Sequence, residues 1–264
     1  MIRLAVLGAA VLAPGLPGWA ASRAVLAGEA PWQDSPFTPP APALLPSTER
    51  RRTSPAVRLA LAVAAEAAET SRMPPESLDT LFASSNGDGQ VIGAILAALH
   101  EPEVAISPTQ FHNSVHNAAA GYWGIAVGSA RPSVSTGGHD HVFASGLLQA
   151  AARIAATGEP LLLCVSDAPL PPPLHAKRPT GCAFGLALVL ASDGAPGALA
   201  RLGVAYQPEP AAAPALPAGL AALRAANAAA HGLPLLAALA IAHPASLRFP
   251  MLEDGALMVE VAPC

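Results

Sequence analysis

The sequence predicts a layered α/β fold. Segments with the apolar spacing of helices alternate along the chain with short apolar runs that are typical of strands. Two of these runs, residues 160–166 and 182–191, are apolar almost without interruption, which is the pattern of strands buried on both faces. Hydrophobic residues make up 52% of the 264 positions, so the chain has enough apolar material for a large core.

The first segment allows two interpretations. Residues 3–11 are apolar after Arg3 and lead into a Pro-Gly turn, which predicts a buried strand followed by a short helix over 19–27. The same run, with Arg3 before it and small residues near position 20, also fits a short signal peptide. The run is too short to span a bilayer, so we expect no stable membrane insertion.

A proline-rich loop is predicted next, over residues 28–48, with Trp32, Phe37 and the Leu-Leu pair at 44–45 as its anchors. The run Glu-Arg-Arg-Arg at 49–52 follows. In the simpler interpretation, this run is the solvated start of a helix or a lid over an acidic patch. In the more specific interpretation, it contacts a phosphate or an acidic carrier protein. We favour the simpler interpretation.

A long helix begins after this run. Ser54 suits the N-cap and Pro55 the first helical position, and the prolines at 74 and 75 end the helix. The later elements are predicted as strands at 78–84, 104–106, 160–166, 182–191 and 202–207, helices at 90–100, 143–156 and 220–240, a linker at 208–218, and a strand pair over 251–261.

Polar side chains are concentrated in residues 105–150, which contain half of the eight histidines. If residues 111–126 are helical, His112 and His116 lie on one face, and His139 and His141 flank an aspartate. Such a set could hold a metal ion, but the chain has no HExxH motif. We expect no metal here, and interpret these histidines as hydrogen-bonded groups in a polar core.

A serine hydrolase is a second possibility for this segment. Ser114 or Ser135 would be the nucleophile, with a histidine and Asp140 as its partners. No GxSxG sequence is present to form a nucleophile elbow. We therefore do not favour hydrolase chemistry of this kind.

Bulk composition excludes several functions. A net charge of −4 and an aromatic content of 4% argue against binding to nucleic acid. The three cysteines are widely spaced without a CxxC pair, which predicts neither a disulfide framework nor a zinc site and favours a reducing compartment. No cofactor motif is apparent. Charged residues are only 12% of the chain, so we expect a partner protein to cover part of its surface.

The polar segment also resembles a known family. Residues 107–128, SPTQFHNSVHNAAAGYWGIAVG, followed by PSVST and a helix containing GLLQAA, resemble the N-terminal half of a β-ketoacyl synthase of the thiolase fold. ERRRTSPAVRLA, LFASSNGDG and PLLLCVSDAPLP fit the same half. The chain is most similar to the small chain-length-factor-like proteins of bacterial aryl polyene and xanthomonadin pigment clusters. This resemblance favours the strand interpretation of the N-terminus.

The resemblance implies a thiolase-like α/β fold with a mixed central sheet, in which the N-terminal half is complete and the C-terminal portion is truncated. It implies a β-ketoacyl synthase N-terminal-like domain over 1–206. Residues 207–264 would then be a truncated extension, made of a linker, a helix and a strand pair, packed on that domain.

The resemblance also raises a doubt about catalysis. Ketosynthases carry a nucleophilic cysteine at the turn after the PSVST-like segment, and here Gly137 and Gly138 stand at that degenerate nucleophile position. The HGTGT-type motif with a second catalytic group is absent. The resemblance therefore implies a non-catalytic homologue. The alternative is an enzyme that uses His116, His139 and Asp140 to decarboxylate or hydrolyse acyl thioesters.

A non-catalytic homologue would act with a partner. The expected partner is a full-length β-ketoacyl synthase in a heterodimer, or a second copy of this chain, with an acyl carrier protein as a further possible partner, in cytoplasmic type II fatty acid or polyketide synthesis. The pairing strand would be near 131–136. The expected motif and interface residues are Ser107, Pro108, Phe111, His112, Asn113, His116, Asn117, Gly121, Trp123, Ser133 and Ser135.

Overall fold

A computed structural model describes residues 1–101, 104–252 and 254–264. The strands are β1 (Ile2–Leu12), β2 (Asp79–Ala83), β3 (Ser133–Thr136), β4 (Leu161–Asp167), β5 (Phe184–Ser192), β6 (Ala200–Gln207), β7 (Ala245–Met251) and β8 (Gly255–Pro263). The helices are α1 (Trp19–Leu26), α2 (Ser47–Arg50), α3 (Pro55–Ser71), α4 (Gly89–His100), α5 (Pro108–Asn113), α6 (Ala118–Val127), α7 (Val142–Thr157), α8 (Leu174–Lys177), α9 (Leu220–Ala226) and α10 (Leu233–Ile241), with short 3-10 helices at Pro75–Ser77, His139–His141 and Ala228–Gly232.

The eight strands form one mixed sheet in the order β3-β2-β4-β5-β1-β6-β8-β7. β2 runs parallel to β3 and to β4, whereas β5 is antiparallel to both of its neighbours, β4 and β1. It follows that β1, β2, β3 and β4 all point the same way. Their carboxyl ends therefore meet at one edge of the sheet, which is the usual place for a site in an open α/β sheet.

Strand β1 shows how the sequence builds two cores. Leu4 and Val6 face the layer of α1, α7 and α10, and the neighbouring Ala5 and Leu7 face the layer of α3 and α6. A bulge near Gly8 shifts this alternation by one residue in the second half of the strand. The apolar run is buried because helices cover both faces of the sheet.

Helix α3 begins as predicted. The Ser54 hydroxyl accepts a hydrogen bond from the Val57 amide at 3.2 Å, and Pro55 takes the first helical position. The helix ends at Arg72, which has a left-handed backbone with φ 59°, just before the proline pair. The predicted strand at the N-terminus and the following helix are likewise confirmed by β1 and α1.

Three local predictions were wrong. Residues 104–106 form no strand. Residues 111–126 form two helices, because Asn113 is buried and bonds through its side chain to the Arg52 carbonyl and the Tyr122 hydroxyl, which turns the chain after α5. Leu44 is exposed and does not anchor the proline-rich loop, although Leu45 is buried.

The C-terminal residues continue the same sheet. β8 pairs antiparallel with β6 and with β7, so the predicted strand pair around Gly255 is present and its first strand begins earlier than expected, at Ala245. Helix α10 is buried along eight of its nine residues and contributes to the core beside α1. The boundary expected at 206 remains a prediction.

Candidate functional site

Polar groups meet at the carboxyl edge of the sheet, where the turns after β2, β3 and β4 lie side by side. Asp167, at the end of β4, is buried and accepts hydrogen bonds from the hydroxyls of Ser84 and Ser85 at 2.7 Å and from two backbone amides of the same turn. Burial raises the pKa of Asp167 and outweighs these hydrogen bonds, which lower it. This carboxylate ties the turn after β2 to the end of β4.

Arg178 ties the same turn to the one after β3. Its guanidinium donates to the Asn86 side-chain oxygen, to the Nε2 atom of His139 at 2.8 Å and to the Asp140 carboxylate at 2.9 Å. Partial burial raises the pKa of Asp140, but the hydrogen bond and the positive charge of Arg178 outweigh it and hold this pKa below its ordinary value. The cluster is therefore an ion pair extended by two neutral hydrogen-bond acceptors.

The turn between β3 and α7 contains the glycines expected at the nucleophile position. Gly138 has an extended backbone and leaves no room for a side chain, since a β-carbon there would lie 2.7 Å from the Cα atom of Val142. His139 follows with φ 49°, a left-handed conformation that is uncommon for residues other than glycine. Geometrically, His139 is thus the residue exposed at the tip of the turn, three positions before α7 begins.

The hydrogen bonds fix the tautomer of His139. Arginine can only donate, so the Nε2 atom of His139 must accept from Arg178 and the proton must lie on Nδ1, which is 3.3 Å from the Asp140 carboxylate. The lone pair that a general base would use is therefore occupied by a cation. A basic role for His139 requires Arg178 to move away.

The other expected histidines are dispersed. His112 packs edge-on against Tyr122, with ring centroids 5.9 Å apart, and His116 lies in the turn before α6, close to Gly87. They do not share a helix face, because the chain breaks between α5 and α6. Within the described ranges, no three His, Cys, Asp or Glu side chains are grouped closely enough to hold a metal ion.

The cysteines lie away from this turn. Burial raises the pKa of Cys164, in the middle of β4, to about 12, and it raises the pKa of Cys182, at the start of the β5 segment, to about 11. Both thiols are therefore protonated near neutral pH. Neither belongs to the turn between β3 and α7.

Five of the eleven expected motif and interface residues lie on or beside strand β3. In the described part of the chain, β3 pairs only with β2. The Thr80 amide donates to the Pro132 carbonyl, and the Ser84 amide donates to the Thr136 carbonyl. In a parallel ladder, successive residues of a strand direct their backbone groups to opposite sides. The backbone groups of Ser133 and Ser135 therefore point to the free edge of the sheet.

A groove of about 480 Å³ lies against this strand, beneath α6. Asn117, Gly121, Trp123, Ser133 and Ser135 are among its lining residues. A β-carbon on Gly121 would meet nothing within 4 Å, so the groove has open space at this residue. Five expected residues, from the α6 segment and from β3, are therefore brought together here.

A buried ion cluster holds β3 in place. Asp79, at the start of β2, is 3% exposed and is bonded by Arg131, just before β3, at 2.8 Å, and by Arg153 of α7 at 2.8 Å. Arg131 also reaches Glu159 at 2.6 Å. The edge strand is thus attached to the sheet by charge as well as by its ladder with β2.

The remaining expected residues lie on α5 and beside it. Ser107 precedes the helix without capping it through its side chain, Pro108 takes the first helical position, and Asn113 is buried. Phe111 is 69% exposed. Together with Leu99 of α4, at 67% exposure, it forms part of an apolar surface in a stretch that has no charged side chain from 104 to 130.

Sequence reasoning missed two residues of the site. Arg178 comes from the proline-rich loop after β4, and a weak signal for it existed, since it and Lys177 are the only charged residues in a loop of prolines. His231 comes from the C-terminal portion and lines a small cavity of about 100 Å³ with Asp140, His141 and Arg224. No pattern in the sequence relates position 231 to the turn near 140.

The family model for the N-terminal domain of β-ketoacyl synthases matches residues 19–241. The chain belongs to this family. No curated protein matches the chain, but solved structures of ketosynthases do. The thiolase-like fold implied by the sequence resemblance is confirmed, since the match covers most of the mixed sheet and its helices.

Two of the similar structures are complexes. One is described as a ketosynthase with its chain length factor, from Xenorhabdus doucetiae, and is 22% identical over 98% of this chain and 100% of the matched chain, with a TM-score of 0.73. The other is the ishigamide ketosynthase/chain length factor, 14% identical over 100% of this chain and 99% of the matched chain, with a TM-score of 0.74. At these identities the likeness concerns the fold.

A ketosynthase of the Bacillus subtilis bacillaene synthase gives a different coverage. The match has 13% identity and a TM-score of 0.55, and it covers 78% of this chain but only 41% of that ketosynthase. This β-ketoacyl synthase homologue therefore spans less than half of that chain. None of its described helices is long and apolar enough to cross a membrane.

Proposed function

We propose that this β-ketoacyl synthase homologue is a non-catalytic, chain-length-factor-like subunit that completes a heterodimer with a full-length ketosynthase. Its pathway would be cytoplasmic type II fatty acid or polyketide synthesis, of the aryl polyene pigment kind. The observation that carries the proposal is the outer edge of β3, where the backbone groups of Ser133 and Ser135 face away from the sheet and, in the described part of the chain, no further strand pairs with them.

An exposed strand edge is a ready template for pairing with a second chain. Here the edge is short and is held rigid by the Asp79 ion cluster. A partner strand would add main-chain hydrogen bonds along β3. Phe111 and Leu99, both about two-thirds exposed, would then bury their side chains against the partner, as aromatic anchors at interfaces do.

The turn between β3 and α7 supports the non-catalytic part of the proposal. Gly138 has no room for a thiol-bearing side chain, the Nε2 atom of His139 is bonded to Arg178, and Cys164 and Cys182 lie away from the turn and have raised pKa values. The turn therefore offers neither a nucleophile nor a free base in this conformation. Two of the similar structures are described as pairs of a ketosynthase and a chain length factor, which agrees with a partner role.

Co-expression with a full-length ketosynthase tests the partnership. We expect the two chains to purify together in equal amounts and to elute as one heterodimer. Ser135→Pro removes an amide that points to the free edge and leaves the ladder with β2 intact, so this variant should lose the partner while keeping its own fold. A stable monomer or homodimer that excludes the synthase would contradict the proposal.

A matched pair of leucines tests the apolar surface. Leu99→Ser should weaken the heterodimer about tenfold or more, because a large exposed side chain at an interface is replaced by a small polar one. Leu252→Ser is the control, since Leu252 is 60% exposed but lies next to β7, at the opposite edge of the sheet. Equal affinity of both variants for the ketosynthase would place the interface elsewhere.

Activity assays address the catalytic alternative. The purified chain, incubated with malonyl- and acyl-carrier thioesters, should leave them intact, and His139→Ala should behave like the unmodified chain. Turnover that disappears in His139→Ala while assembly survives would favour an enzyme that acts on acyl thioesters.

A further inference from the structure

A proline-rich segment after β4, residues 168–180, crosses the carboxyl edge of the sheet; we call it the strap. Its middle is exposed and contains the short helix α8, whereas its first and last residues, Ala168 and Thr180, are buried. We propose that the strap is a movable cover over the turn between β3 and α7 and that Arg178 is the latch that holds it shut.

The two ends of the strap are pinned together. The side-chain amide of Asn227 is buried and donates to the carbonyl of Asp167 at 3.0 Å and to that of Cys182 at 2.9 Å, one residue before the strap and two after it. Thr180 accepts a further hydrogen bond from the side chain of Asn86 at 3.0 Å. The strap can therefore move only as a loop that swings about these fixed ends.

The first half of the strap rests on α4. Gly93 places its backbone so close to the strap that a β-carbon would lie 3.2 Å from Pro171 and 4.0 Å from Leu174, and Gly89, one turn earlier, leaves similar space for Leu170. These are apolar contacts without hydrogen bonds. They position the strap over the sheet edge but do not attach it to the turn between β3 and α7.

That attachment is made by one side chain. Among the hydrogen bonds of the described residues, only those of Arg178 join the second half of the strap to that turn, through His139 and Asp140, and its Nε atom joins it to Asn86. When the latch opens, the Nε2 atom of His139 and the Asp140 carboxylate lose their common partner and become accessible. The latch is partly exposed, so its contribution is modest, which suits a contact that opens and closes.

The sequence supplies a direct probe of this motion. Lys177, beside the latch, is the only lysine in the chain, so a lysine-specific protease can cut it at one place only. Cleavage of a native loop tracks the fraction of time the loop is open when opening and closing are fast. We expect the folded wild-type chain to be cut slowly, and Arg178→Gln to be cut about five- to tenfold faster at unchanged thermal stability.

Two further variants complete the test. Asp140→Asn removes the charge that faces Arg178 and should speed the cut in the same direction, without altering the residues on either side of the cleaved bond. Arg201→Gln is the matched control, since Arg201 of β6 makes an exposed ion pair with Asp193, just after β5, and this variant should be cut like the wild type. Equal cleavage rates for the wild type, Arg178→Gln and Asp140→Asn would overturn the latch, as would a wild type cut as fast as an unfolded peptide.

Discussion

A β-carbon added to Gly138 would lie 2.7 Å from the Cα atom of Val142, the first residue of α7. The turn between β3 and α7 is therefore closed to a side chain at this position, whatever its chemistry. The neighbouring Gly137 differs, since its nearest neighbour would be the Ser84 carbonyl at 3.9 Å. Two adjacent glycines thus have different structural reasons to be there.

This difference predicts the effect of alanine. Gly138→Ala should lower the free energy of unfolding by about 1–3 kcal/mol, because the added methyl group must displace the start of α7. Gly137→Ala, one residue away, should change it by less than about 0.5 kcal/mol. Urea unfolding of both variants measures this; equal effects would show that the turn adjusts to a side chain at 138.

The position of this turn was predictable from the sequence, but the contacts of its side chains were not. The resemblance to β-ketoacyl synthases, and not a local strand or turn signal, marked Gly137 and Gly138 as the degenerate nucleophile position. That His139 stands at the tip, with its Nε2 atom bonded to a guanidinium, depends on Arg178, which is 39 residues away in sequence. A side-chain pairing over that separation depends on how the strap packs on α4. It produces no periodic pattern in the sequence from which it could be predicted.

The error over 111–126 has the same origin. The apolar spacing there suits one helix, and both α5 and α6 form within it. The break between them is caused by the tertiary bonds of Asn113 to the Arg52 carbonyl and to Tyr122, groups that propensity cannot register. In contrast, Ser54 and Pro55 act within one turn of their own helix, so that boundary was predictable.

His231 makes the stability of the fold depend on pH. Burial lowers the pKa of His231 below its ordinary value of 6.5, and the nearby Arg224 and His141 lower it further. Asp140 raises this pKa, but burial outweighs its effect. The unfolded chain therefore binds a proton at a pH where the folded chain does not. Stability should be full above about pH 6.5 and should fall as the pH drops towards the folded pKa.

Unfolding midpoints at several pH values between 5 and 8 measure this dependence. His231→Asn should flatten the acid side of the profile, whereas His243→Asn, a change at an exposed histidine on the loop before β7, should leave the wild-type slope. A variant at 231 that keeps the full slope would assign the dependence to another group.

Asp79 is expected to govern the edge strand. It is buried between Arg131 and Arg153, and removing its charge leaves Arg153 without this counter-ion and Arg131 with Glu159 alone. Breaking a buried pair in this way costs about 3–5 kcal/mol, and since both arginines are about one-third exposed we expect Asp79→Asn to cost about 2 kcal/mol. Asp193→Asn, at an exposed pair, is the control and should cost less than about 1 kcal/mol.

The region that loses its protection when Asp79 is replaced distinguishes this ion cluster from a contact that only stabilises the fold. Arg131 lies two residues before β3, so loss of Asp79 should raise hydrogen exchange first in residues 131–136 and in their partner strand β2, before the centre of the sheet at β5 and β1 responds. If a ketosynthase pairs with β3, Asp79→Asn should also weaken that complex by more than its effect on thermal stability, because the pairing strand is no longer held in place. Uniform exchange across the sheet, with unchanged affinity for the partner, would mean that the ion cluster stabilises the fold without organising its edge.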